Sequence, residues 1–191
     1  MAKTAKDIKK VRISFIDLSD QAGIGVREID LWGKSTNFFK LPAESLNHGT
    51  ENFRWGAALQ YDRKTDSFLV GLWGQGIYRF SRSGEVLAKY NYPNITHSIE
   101  ILENGNLMFP FSWSSRDQKK ITEIDPSGKV VWSWSAAKFI DDEDPSMSSA
   151  KREPETFVAI TGAIALDDQT IVATLSQANS VVFIDRASGG G

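Results

Sequence analysis

Short apolar runs, alternating with polar residues at every second position, recur along the chain between clusters of Asp, Asn, Ser and Gly. Period-two alternation puts successive side chains on opposite faces of an extended strand, so the runs predict β-strands. Three stretches carry the same order of runs. Each opens with a short strand: Ala58-Leu59-Gln60-Tyr61, Ile99-Glu100-Ile101-Leu102 and Ile164-Ala165-Leu166. A polar turn follows, then a second apolar run: Phe68-Leu69-Val70, Leu107-Met108-Phe109 and Ile171-Val172-Ala173. The third run is Ile77-Tyr78-Arg79-Phe80, Ile121-Thr122-Glu123-Ile124 or Val181-Val182-Phe183-Ile184. It ends in a tight turn, Ser81-Arg82-Ser83-Gly84, Asp125-Pro126-Ser127-Gly128 or Asp185-Arg186-Ala187-Ser188-Gly189. Asp or Ser opens such a turn, Pro presets φ, and Gly absorbs the left-handed position. A last strand closes the first two stretches, Val86 through Tyr90 and Val130 through Trp134.

Gly84 and Gly128 lie 44 residues apart, whereas Gly128 and Gly189 lie 61 apart, which is one module plus an insertion. The excess falls at 139–157, an acidic and Ser/Lys/Glu/Pro-rich stretch predicted as a long loop or a short helix around 147–152. A weaker copy precedes the first stretch: a strand over 11–18, then Val26-Arg27-Glu28-Ile29-Asp30, a turn at Leu31-Trp32-Gly33-Lys34, and a strand over 37–42. The predicted organisation is a basic tail (1–10), a partial module (11–42), two full modules (56–92 and 97–137), the insertion (139–157), a partial module (158–186) and a Gly-rich tail or linker (187–191). An all-β, four-stranded antiparallel module of about 40–45 residues is the size of one β-propeller blade. About three and a half blades are expected. A meandering β-sandwich is the alternative that turns every 8–12 residues also allow. A closed propeller uses about four to eight blades. The expectation is therefore a partial or half propeller: a fragment, a small ring, or a half-ring that self-associates to complete itself.

Composition narrows the partners. The 191 residues hold 22 Lys+Arg against 24 Asp+Glu, a net charge of −2, which argues against a nucleic-acid partner. No run approaches the length of a membrane-spanning helix, so no membrane partner is expected. The N-terminus has no apolar run of secretory type, so the chain as it stands is expected in the cytoplasm, or exported if it belongs to a longer protein. Cysteine is absent, which excludes disulfides, thiolate metal sites and cysteine nucleophiles. Six Trp and eleven Phe supply bulk for packing between sheets, the expected role of Trp113, Trp132 and Trp134. The clustered Asp141, Asp142, Glu143 and Asp144 lack the spacing and glycine of a calcium loop, and Trp73-Gly74-Gln75-Gly76 lacks the lysine of a phosphate loop. No metal or cofactor is expected.

The two histidines, His48 and His97, both precede the first strand of a module. In a propeller that position faces the mouth of the central channel. The run from Thr96 to Asn106 (THSIEILENGN) resembles the blade opening of arylsulfotransferase-like propellers, and Ile124 to Trp134 (IDPSGKVVWSW) is similar to their blade ending. Asn179 to Arg186 (NSVVFIDR) resembles a further strand of that family. The resemblance spans 57–186. It implies that a channel histidine takes the sulfuryl group covalently, while other histidines, an arginine and an asparagine hold the sulfate oxygens. His97 is the position that matches, as candidate catalytic residue. His48, Thr96, Ser98, Arg116 and Thr161 are candidate ligand contacts. The family's later histidine-bearing opening is replaced here by Ile160-Thr161-Gly162-Ala163, so the catalytic histidine set is incomplete. The residues thus imply a binding or scaffold propeller for a small organic anion or a partner, with aryl sulfate transfer as the alternative. His97 as a hydrogen-bonded packing residue, His48 as a loop residue and Arg116 as a hairpin tip are the plain structural readings.

Overall fold

The computed structural model describes residues 11–18, 24–46, 57–93, 95, 97–111, 121–135, 160–175 and 179–188. These residues form four antiparallel sheets of sequence-consecutive strands, with one short 3-10 turn, Ala43–Ser45, and no α-helix among them. Sheet 1 contains β1 (Ile13–Asp17), β2 (Gly25–Ile29) and β3 (Ser35–Lys40). Sheet 2 contains β4 (Ala58–Asp62), β5 (Ser67–Leu72), β6 (Gly76–Ser81) and β7 (Val86–Tyr90). Sheet 3 contains β8 (Glu100–Ile101), β9 (Leu107–Pro110), β10 (Ile121–Ile124) and β11 (Val130–Trp134). Sheet 4 contains β12 (Ile160–Ala165), β13 (Thr170–Leu175) and β14 (Ser180–Asp185). Every strand pairs with its chain neighbour within its sheet.

The strands sit where the apolar runs lie, with two clear differences of position. The strand expected over 37–42 runs from Ser35 to Lys40, leaving Leu41 and Pro42 outside it. The first strand of sheet 4 begins at Ile160 rather than Ile164, because Ile160 pairs with Leu175 ahead of an irregularity at Gly162. Thr161 is therefore a strand residue. The expected insertion helix around 147–152 lies outside the described residues.

Side chains of consecutive sheets meet face to face and build three cores. Val26 and Phe39 of sheet 1 meet Phe68, Val70, Tyr78 and Phe80 of sheet 2. Leu69 and Ile77, on the other face of sheet 2, meet Leu107, Phe109 and Ile124 of sheet 3. Met108, Ile121 and Trp134 then meet Ile171, Ala173 and Ile184 of sheet 4. Sheets 2 and 3 are covered on both faces, so β5, β9 and β10 are buried at every position. In β14 the pattern alternates, because only one face has a neighbour among the described residues. Fully burying each large apolar side chain contributes roughly 1.5–3 kcal/mol, so these contacts outweigh every other interaction between the sheets.

Two polar latches of the same construction tie sheet 1 to sheet 2 and sheet 3 to sheet 4. Each uses the residue after the Asp or Ser that opens the turn following the third strand. Arg82 at that position forms an ion pair with buried Glu28 of sheet 1, and the Asn37 amide donates to the Arg82 carbonyl at 3.1 Å. Arg186 likewise pairs with buried Glu123 of sheet 3, while Trp132 Nε1 donates to the Arg186 carbonyl at 3.1 Å. Asn106 adds a 2.6 Å bond to the second Glu123 oxygen, and the Arg186 guanidinium lies over the Trp132 ring. The middle seam is built differently. There Arg79 turns back to Asp62 of its own sheet at 2.6 Å, and Tyr90 and Tyr92 donate to the carbonyls of Pro126 and Gly128.

Gly84 shows how closely the sheets approach. Its φ is +90°, and a Cβ there would stand 2.8 Å from the Phe39 Cβ of the neighbouring sheet. The turn glycine is thus fixed by backbone conformation and by packing together.

A buried carboxylate left without its guanidinium keeps its desolvation cost. Replacing Arg186 by Met should therefore lower stability by about 3 kcal/mol, read as a shift in the urea midpoint with unchanged slope. Arg63→Met, in an exposed turn, should move the midpoint by less than about 0.5 kcal/mol equivalent.

Candidate functional site

Antiparallel up-and-down strands put the connection between one sheet and the next at one end of the stack. The turns after the first and third strands of sheets 2, 3 and 4, and the β2–β3 turn of sheet 1, lie at the opposite end. His97 belongs to the first end, in the connection from β7 to β8. Two buried side chains hold that connection down: Ile95, which bridges to Phe111, and Ile99. The Pro93 carbonyl accepts from Gly74 N–H at 2.7 Å, fixing the segment to the β5–β6 turn. Between these anchors His97 is exposed and adopts φ +65°, the left-handed conformation that costs a side-chain-bearing residue about 1–2 kcal/mol. Partial desolvation by the surrounding chain lowers its pKa below the ordinary 6.5, so the imidazole is neutral at pH 7.

Ser98 follows immediately, its hydroxyl buried and without a hydrogen-bond partner. Thr161 occupies the register counterpart of His97 on the next sheet. Ile101 pairs with Leu107 as Ala165 pairs with Ile171, and counting back from each gives His97 and Thr161. The Thr161 hydroxyl is engaged with the Thr174 hydroxyl at 2.9 Å. Of the sequence-derived candidates, the structure brings His97 and Ser98 together and sets Thr161 at the equivalent point of the neighbouring sheet. His48, Thr96 and Arg116 lie outside the described residues.

The opposite end carries an open groove of about 1080 Å³ between sheets 3 and 4. Glu100, Glu103, Asp167 and Asp168 give its lining acidic character, and its Arg186 is already paired with Glu123. Glu100 accepts from the Ala165 N–H at 2.7 Å, yet burial dominates and raises its pKa. Asp167 is held below the usual carboxylate range by the backbone N–H groups of Gln169 and Thr170. The groove therefore disfavours an anion. No group of three or more metal-ligating side chains occurs among the described residues. Sequence reasoning passed over Glu28, Glu123, Arg82 and Arg186. The available signal was that each arginine directly follows the Ser or Asp that opens its turn, together with an acidic residue beside apolar ones in β2 and β10.

Similarity to known proteins agrees with this layout. A crystal structure of a protein of unknown function from Bacteroides caccae superposes with a TM-score of 0.56 at 16% identity, covering 95% of this chain and 55% of that one. A streptogramin B lyase structure superposes with a TM-score of 0.52 at 12% identity, covering 93% and 56%. The chain thus spans little more than half the length of these structures, and the likeness is one of fold. No curated protein sequence matches the chain. The family model described as Arylsulfotransferase (ASST) matches residues 58–179, from β4 to the residue before β14 and including His97. By that match over more than half of its length, the chain belongs to the arylsulfotransferase family.

Proposed function

We propose that the four sheets are successive blades of a β-propeller related to the arylsulfotransferases, and that the chain binds a small organic anion at the His97 end. An aryl sulfate is the chemistry that the family points to. One observation supports this above the rest: His97 is held exposed, in a left-handed backbone conformation, between two buried isoleucines and inside the family-matched region. Strain retained at an exposed polar residue, where glycine would serve the backbone at lower cost, is the kind of outlier that accompanies function. The acidic groove at the far end favours the His97 end as the place for an anion. The neighbouring sheet offers a threonine pair instead of a second histidine, which suits binding better than group transfer.

Covalent transfer is the second reading, and the depressed pKa favours it. A neutral imidazole can attack the sulfur of an aryl sulfate and displace the phenolate. The two readings separate by pH. Binding that draws on imidazolium charge tightens as pH falls through the lowered pKa of His97. Transfer through the neutral ring slows over the same window.

Calorimetric titration of 4-nitrophenyl sulfate from about pH 8 to about pH 5 should show affinity rising toward acid pH. In His97→Gly, which removes the imidazole and suits the backbone, affinity should fall at least about tenfold, or 1.4 kcal/mol, with the thermal midpoint preserved. Undiminished affinity in His97→Gly overturns the site. Incubation with the same ester and a phenol acceptor tests transfer, and nitrophenol release that vanishes in His97→Gly would establish catalysis in place of simple binding.

Linkage gives a third measurement. Because folding lowers the pKa of His97, the folded state takes up its proton less readily than the unfolded chain. The stability tied to this group is therefore complete above 6.5 and declines as pH falls through that value. His97→Gly should flatten this part of the urea-midpoint profile between about pH 7 and about pH 5.

A further inference from the structure

The surroundings of His97 differ on its two sides. Residues 98 to 101 alternate between the seams that flank sheet 3. Ile99 and Ile101 turn to sheet 2, where they join the core of Leu69 and Ile77, and Ile95 belongs to the same core. Glu100 turns to sheet 4, where its carboxylate accepts from the Ala165 N–H. Alternation places Ser98 on the Glu100 side. The approach to His97 from the sheet 2 seam is therefore closed by Ile95 and Ile99, which are 0% and 6% exposed. On the sheet 4 side the side chain next to His97 in the chain is a hydroxyl.

That hydroxyl departs from a general rule of protein interiors. Buried polar atoms are nearly always hydrogen-bonded, because a donor removed from water without a partner forfeits its hydration. Ser98 Oγ is shielded from solvent and has no partner among the described residues. The residue as a whole is only half-buried, so the hydroxyl lies just beneath the surface. The hydroxyls of Tyr78 and Thr122 share its unpaired state, but those residues are enclosed in the seams at 2% and 1% exposure. Of the three, Ser98 is the one that adjoins an exposed residue in the chain, and that residue is His97 with its positive φ. Two unfavourable features thus stand on consecutive residues within the family-matched region. Glycine at 97 would relieve the first and alanine at 98 the second.

We infer that Ser98 is a ligand-binding residue: its hydroxyl donates to an oxygen of the anion held at His97, and so selects anions with several accepting oxygens. The inference rests on the reading of His97 as the place of the anion. Rotation about the Cα–Cβ bond re-aims Oγ without breaking a hydrogen bond, since it makes none. Binding then supplies the partner that folding withheld. A sulfate ester suits the contact because its unesterified oxygens share the negative charge. One can meet the His97 ring while another accepts from Ser98, and a hydroxyl bonds a charged oxygen more strongly than a neutral one. Serine does not titrate in the range where His97 does, so its contribution is independent of pH there.

Calorimetric titration of 4-nitrophenyl sulfate at about pH 7 should show Ser98→Ala binding at least about tenfold more weakly than the unaltered chain. The urea midpoint of that variant should stay level or rise, because the change removes an unpaired hydroxyl. The gain in affinity from about pH 8 to about pH 5 should persist in Ser98→Ala and vanish in His97→Gly. Three results overturn the assignment: unchanged affinity in Ser98→Ala, weakening accompanied by a lowered urea midpoint, or loss of the acid-side gain in that variant, which would make Ser98 a support for His97. Unchanged affinity in Ser98→Ala with weakening in His97→Gly removes the serine contact and leaves the His97 site standing. Weakening in Ser98→Ala with undiminished affinity in His97→Gly does the reverse. Absence of binding by the unaltered chain overturns both.

Discussion

Every sheet in this protein is apolar on both of its faces, and no sheet can bury both without a neighbour on each side. The rest of the structure follows from that constraint. Consecutive sheets stack face to face, and three cores form between four sheets. The sheets in the middle become dry throughout. At either end of the stack the same composition leaves hydrophobic side chains in water. Hydrophobic burial is non-directional and scales with area, so by itself it would tolerate sheets slipping or pairing in another order.

The order and register come from the polar groups placed inside those seams. Glu28 and Glu123 are each 2% exposed, and each is answered by one arginine in the turn of the next sheet. A buried carboxylate is costly without its partner and roughly neutral with it. The latches therefore add little net stability and penalise every arrangement that separates them. The middle seam uses tyrosine hydroxyls on turn carbonyls instead, and its arginine stays within its own sheet. The seams are chemically distinct although the strands around them follow one plan.

This plan also separates the two ends of the stack. The acidic groove lies among the turns that carry the latch arginines, whose charge is already matched. His97 lies at the other end, where the chain crosses from sheet to sheet and short anchored connections can present a side chain without burying it. A family of group-transfer enzymes supplies the relationship. The local chemistry at His97, one exposed and neutral imidazole beside a buried serine hydroxyl, is simpler than the cluster of histidines that the family resemblance implies.

The strands and turns were legible in the sequence because period-two alternation and the Asp/Ser–Gly turns are local properties, set by neighbours a few residues away. The place of His97 in the chain, in the connection leading to β8, was legible too, because the strand opening that follows it is itself a local pattern. The early start of β12, which makes Thr161 a strand residue, was not, because it depends on pairing with Leu175. Nor was the fate of the acidic residues in β2 and β10. Alternation alone assigns Glu28 and Glu123 to solvent beside their apolar neighbours. Tertiary packing buries them, because a second sheet covers the face on which they lie. The sequence by itself determined the sheets and the chemistry offered at their edges. Only the stacking of sheet on sheet decided which polar groups are buried and paired, since that depends on residues about 50 to 60 positions apart meeting across a seam.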